Sequence, residues 1–118
     1  MFMKYYSEEE TRDIRLAFEE HVLNWAGVTK KKMFGCPCYK VDDKLFAFLV
    51  TKGVVITKLD ENERETITNQ FHTTSFQAGK KIVKNWTRIP TEYKSDIDKI
   101  LPFVKKSYNN SAQRAKET

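Results

Sequence analysis

Three runs rich in aromatic and β-branched residues follow one another almost without interruption: Met33 to Val41, Lys44 to Thr51 and Val54 to Leu59. Only Asp42-Asp43 and Lys52-Gly53 separate them. Short spacers carrying Asp or Gly between such runs are hairpin signals. The segment therefore predicts an antiparallel meander of three strands. Pro37 has no N–H to donate to a ladder, which places the first of these strands at a sheet edge or across a bulge.

The meander is flanked by helical patterns. Ser7 and Glu10 form a capping box that satisfies orphan donors of a helix start. Ile14, Ala17, Phe18, His21, Val22 and Trp25 then recur at helical spacing, a helix of about five turns ending near Gly27. Its outer face carries Glu9, Arg12, Asp13, Glu19 and Glu20. Asp60 with Glu63 repeats the capping pattern and opens a short helix to about Gln70, with Ile67 and Phe71 as its apolar positions. A polar connection from His72 to Lys81 contains Phe76, a candidate for a further short strand. Ile82 to Ile89 reads as a strand stopped by Pro90.

Thr91 opens a last helix with Tyr93, Ile97, Ile100, Leu101, Val104 and Tyr108 on one face. Pro102 lies within it and predicts a kink or break, because proline in a helix interior costs about 3 kcal/mol. Asn109 to Thr118 has almost no apolar content and is expected to be a frayed or disordered tail. The result is a single α+β domain over residues 1–108, an antiparallel sheet flanked by helices in the order α-β-β-β-α-β(β)-α. The amphipathic helices are the elements expected to cover the apolar face of the sheet.

A chain of 118 residues can bury a sizeable core without disulfides or metals. With 40% hydrophobic and 31% charged residues it falls in the soluble globular class. The longest apolar run, Leu45 to Val50, is strand-sized, far short of the roughly 20 residues a membrane span needs. Met1 to Tyr6 has no signal-peptide character, so a cytoplasmic location without membrane association is expected.

Candidate chemistry is sparse. Cys36-Pro37-Cys38 has one residue between its thiols, against the two to four usual between paired zinc ligands. The histidines, His21 and His72, lie on separate elements. The cysteines are therefore expected to be reduced, metal-free and packed as small hydrophobes. A thiol or metal protein is the third reading, and Lys30, Lys31 and Lys32 nearby would provide its electropositive setting. No nucleophile elbow or phosphate-binding loop is present, and with four glycines no Gly-rich loop can form. No catalytic residue and no cofactor are assigned.

The basic residues carry more. The net charge is +5, from 21 Lys and Arg against 16 Asp and Glu, a modest excess. Lys30, Lys31 and Lys32 precede the first strand, and Lys80, Lys81, Lys84 and Arg88 lie along the late one. On a regular strand Lys84, Trp86 and Arg88 share a face. Such a row would suit phosphate contact and base stacking. The competing reading buries Trp86, with Trp25 and Phe34 also in the core, and lets the cationic ends reach water.

Lys32-Met33-Phe34-Gly35, followed by Tyr39-Lys40-Val41-Asp42-Asp43-Lys44-Leu45-Phe46-Ala47, resembles the N-terminal domain of the TfoX competence regulators. So does the later stretch Phe76-Gln77-Ala78-Gly79-Lys80-Lys81-Ile82-Val83-Lys84-Asn85-Trp86-Thr87-Arg88-Ile89-Pro90. Asp43 stands where that family usually has glycine. The resemblance, which extends to the YjbR group, implies a non-enzymatic regulatory or interaction domain connected with transcription or competence. Its partner would be a protein, a transcription regulator being one candidate, and a homodimer is a further option. The alternative is direct, low-specificity nucleic-acid binding through Lys80, Lys81, Lys84, Trp86, Arg88 and Lys30 to Lys32.

Overall fold

The computed structural model describes residues 5–116, with side chains described for 5–112. Among these residues the order is α1 (Glu8–Val22), β1 (Val28–Met33), β2 (Cys36–Val41), β3 (Lys44–Val50), β4 (Gly53–Ile56), α2 (Glu61–Gln70), β5 (Thr74–Ala78), β6 (Lys81–Pro90), a 3-10 turn (Lys94–Asp96) and α3 (Ile97–Lys116). The fold is α+β, with the helices flanking an antiparallel sheet of order β1-β2-β3-β4-β6-β5.

The meander forms with one strand more, and its second expected turn falls on Thr51-Lys52 rather than Lys52-Gly53, so Gly53 opens β4 opposite Val50. Asp42 and Asp43 both adopt positive φ, 51° and 63°, the twist a two-residue hairpin requires. Phe34 and Gly35, at 53° and 77°, make a second such turn. That turn divides the expected first strand. Met33 belongs to β1 with Lys30, Lys31 and Lys32, which are thus strand residues rather than a lead-in. The sequence hid β1 because its four central residues, Thr29 to Lys32, are exposed. A strand held by backbone pairing alone shows no hydrophobic alternation.

The helices cover one face of the sheet. Antiparallel partners share a face, so Tyr39, Ala47, Ile56 and Thr87 form a row across four strands. Phe18 of α1 packs on Tyr39 with ring centroids 5.0 Å apart. Thr11, Ile14, Phe18 and Val22 form the buried stripe of α1, while His21 is half-exposed and lies 4.0 Å from Asp98 rather than on the stripe. The helix stops at Val22, a turn short of expectation, and Gly27 takes its positive φ in the loop beyond.

The opposite face is covered differently from expectation. Phe76 of β5 lies 5.0 Å from Phe48 of β3, although β4 and β6 come between these strands in the sheet. Strands are about 4.8 Å apart, so a flat sheet could not bring them together. The β5–β6 hairpin bends at its irregularity between Ser75 and Phe76 and folds back over the sheet. Tyr5 completes the cover. Its ring packs on Phe76, its carbonyl accepts from the Thr51 N–H, and its hydroxyl accepts from the Gly79 N–H.

The C-terminal helix is continuous where a break and a tail were expected. Pro102 neither breaks nor ends α3. It sits early in the helix, and the carbonyl it leaves unpaired belongs to Asp98, an exposed residue that water can reach. Nor does the chain fray at Asn109. The helix runs to Lys116, and residues 117–118 lie outside the described residues. Asn110 ties this segment down by donating to the Lys58 carbonyl and to Glu63 Oε1, and Ser111 is buried. Polar anchoring replaces the apolar contacts whose absence suggested a tail.

Candidate functional site

The late basic segment begins at the β5–β6 turn, where Lys80 and Lys81 are both exposed. Beyond it, Ser75 pairs with Thr87 but Phe76 pairs with Val83, so Lys84, Asn85 and Trp86 have no partner in β5. The predicted row is broken by these extra residues. Lys84 lines a polar groove of about 510 Å³ against α2, with Arg64, Thr68, Asn69 and Thr87. Arg88 lines a separate groove of about 460 Å³ with Tyr5, Val50, Phe76 and Gln77. Its guanidinium donates to the Thr51 carbonyl at 3.4 Å. Trp86 packs between Phe48 and Phe76, at centroid distances of 5.4 and 6.0 Å, edge-on to Phe48. Its ring is occupied by the core and only partly exposed.

The early segment has the opposite arrangement. Lys30, Lys31 and Lys32 are exposed on a regular strand. Lys30 and Lys32 share the α1 side and line a cavity of about 430 Å³ with Tyr6, Glu8, Arg15, Gly35 and Pro37. Lys31 lies on the other face, opposite Cys38. Phe34, expected in the core, is 67% exposed, because the turn carries its side chain out of the sheet. It keeps a tilted contact with Tyr5 at 6.1 Å.

A charge network beside that cavity escaped the sequence reading. Arg15 donates from Nε and Nη2 to the two oxygens of Glu8, at 2.8 and 2.7 Å, and from Nη1 to Glu19 at 2.8 Å. Glu19 also accepts from Lys30 Nζ and from the Tyr39 hydroxyl, both at 2.6 Å. Bonds from Arg15 and then Tyr6 pull the Glu8 carboxyl down to about 2. Burial, and next the bond to Glu19, push the Tyr39 phenol upward. Glu19, read as an outer-face residue, thus clamps α1 to β1 and β2. The i,i+4 spacing of Arg15 and Glu19 was the only sequence signal for it.

Cys36 and Cys38 are free and each 1% exposed. Burial, and secondarily each other's presence, push the Cys36 thiol up to about 11. Burial also raises Cys38, against the opposing charges of Lys40 and Lys31. A protonated, buried thiol is a poor nucleophile and a poor metal ligand. Among the described residues, no three His, Cys, Asp or Glu side chains converge as a metal site would require. No described helix is long and apolar enough to cross a membrane.

No curated protein and no solved structure matches the chain. A family description does, that of the TfoX N-terminal domain, over residues 20–111. That span takes in the end of α1, the whole meander with its Lys-Met-Phe-Gly turn, the bulged β5–β6 hairpin and most of α3. With the fold in the expected order and the match covering most of its length, the chain belongs to the TfoX N-terminal domain family.

Proposed function

We propose that this domain is a non-enzymatic regulatory module that acts on transcription by docking a protein partner. Membership of a regulatory, competence-type family supports the reading. The observation that carries it is the packing of Trp86 against Phe48 and Phe76. A stacking platform for bases needs an open aromatic face flanked by cations on the same side. Here the aromatic belongs to the core, and Lys84 and Arg88 line different grooves.

Deleting the gene in its source organism and restoring it tests the regulatory role. Transcript levels should change reproducibly on deletion and return on restoration; an unchanged transcript profile would count against it. Direct nucleic-acid binding is measured separately by fluorescence anisotropy with a labelled oligonucleotide. Contact made by lysines to phosphates alone should be micromolar or weaker and fall steeply with salt. Tight, salt-insensitive binding abolished by K84E/R88E would replace the proposal with direct nucleic-acid recognition.

A further inference from the structure

The sheet order leaves β1 as a terminal strand, and among the described residues nothing pairs with its outer side. The turn Phe34-Gly35 is a two-residue hairpin, so Met33 and Cys36 close it as a hydrogen-bonded pair. Alternation then directs the main-chain groups of Lys31 and Thr29 toward β2 and those of Val28, Lys30 and Lys32 outward. The Val28 N–H is taken by the Trp25 carbonyl at 3.3 Å, as this alternation requires. The N–H and C=O groups of Lys30 and Lys32, with the C=O of Val28, remain as an open ladder. The strand is six residues long, contains no proline, and pairs with β2 without a bulge.

We propose that this edge receives an extended, acidic segment of a partner protein as an added antiparallel or parallel strand. The inference rests on the reading of the domain as an interaction module and names where and what it binds. Lysines on an edge commonly serve to prevent pairing. What they prevent depends on the charge of the incoming strand. A second copy of β1 would bring Lys30, Lys31 and Lys32 against their like, which is destabilising. An acidic strand would meet Lys31 on one face and Lys32 on the other. Lys30 is already held by Glu19, so it contributes mainly its backbone. The exposed Phe34 at the end of the edge offers an apolar contact to the same segment. Main-chain bonds would supply affinity and the lysines would select the sign of charge.

The probe is a labelled peptide of Glu-Glu-Val-Val repeats, about eight residues long, within the usual strand range, which carries carboxylates on both faces of the strand. The peptide should bind the unmodified protein, and a lysine–valine counterpart should not. K31E/K32E should weaken binding by about tenfold or more, since both rim charges change sign. Methylating successive peptide nitrogens, which blocks both edges of the strand, should abolish binding, because charge is retained while ladder bonds are lost. In amide hydrogen exchange, Lys30 and Lys32 should exchange fast in the free protein and slow on peptide addition. Equal binding of the N-methylated peptide, or no binding of the acidic one, overturns the proposal. So does a labelled oligonucleotide that displaces the peptide without slowing those two amides, since the edge would then be a phosphate-contact surface. Peptide failure leaves the transcript experiment unaffected, and unchanged transcripts leave the peptide result standing, so the two readings fail separately.

Discussion

The sheet has two ends, both rich in lysine, and they use it in opposite ways. At the β1 end a tight hairpin of two positive-φ residues keeps the register regular, so three consecutive lysines alternate cleanly across an open edge. At the β5 end the register slips by three residues, and Lys84, Asn85 and Trp86 lose their partners. The slip bends the hairpin over the sheet, spends Trp86 on the core and separates Lys84 from Arg88. Composition is alike at the two ends; backbone regularity decides which end can present a surface. A basic stretch is therefore evidence of a site only after its strand geometry is known.

The largest effect expected from this contrast is on stability. Trp86→Ala should cost about 2–3 kcal/mol in urea unfolding, because it empties a ring from the Phe48–Phe76 cluster. Phe34→Ala, at the exposed tip of the other hairpin, should change stability by no more than about 0.5 kcal/mol. Equal losses would mean that Phe34 is as much a core residue as Trp86.

Next comes the turn that keeps β1 regular. Gly35 has φ of 77°. A side chain would meet nothing within 4 Å there, so the penalty of Gly35→Ala is conformational alone. It should be about 1 kcal/mol, accompanied by faster exchange at the Met33 and Cys36 amides. Unchanged exchange would show that the register of β1 does not depend on this turn.

The smallest effect concerns the network that ties α1 to β1. The Glu8 carboxyl is held at about 2 against an ordinary 4.5. A depressed folded-state pKa stabilises above the unfolded value and loses that stabilisation as pH falls through the folded one. The contribution of Glu8 should thus be full above pH 4.5 and fade toward pH 2. Glu8 is half-exposed, so solvent screening keeps the effect small. Thermal unfolding of Glu8→Gln should fall below the unmodified protein near neutral pH and converge with it near the acid limit. A difference that persists undiminished to that limit would assign the role of Glu8 to packing rather than charge.

What was legible in the sequence was local. Asp60 caps α2 with the reciprocal Glu63 bond that the spacing predicts. Asp42-Asp43 turns the chain where two such residues between apolar runs require it, and Ile82 to Ile89 forms β6 up to the proline. Caps, turns and apolar periodicity are set by residues a few positions apart, so one chain segment suffices to specify them. β1, the anchored end of α3 and the cover over Phe48 depend on partners far along the chain. Thr29 to Lys32 become a strand because β2 offers them a ladder, and Asn110 stays helical because Lys58 and Glu63 accept its side chain. The fate of Trp86 was likewise tertiary. Strand alternation puts residues 84, 86 and 88 on one face only while the register holds, and the β5–β6 slip that breaks it is a property of two strands together.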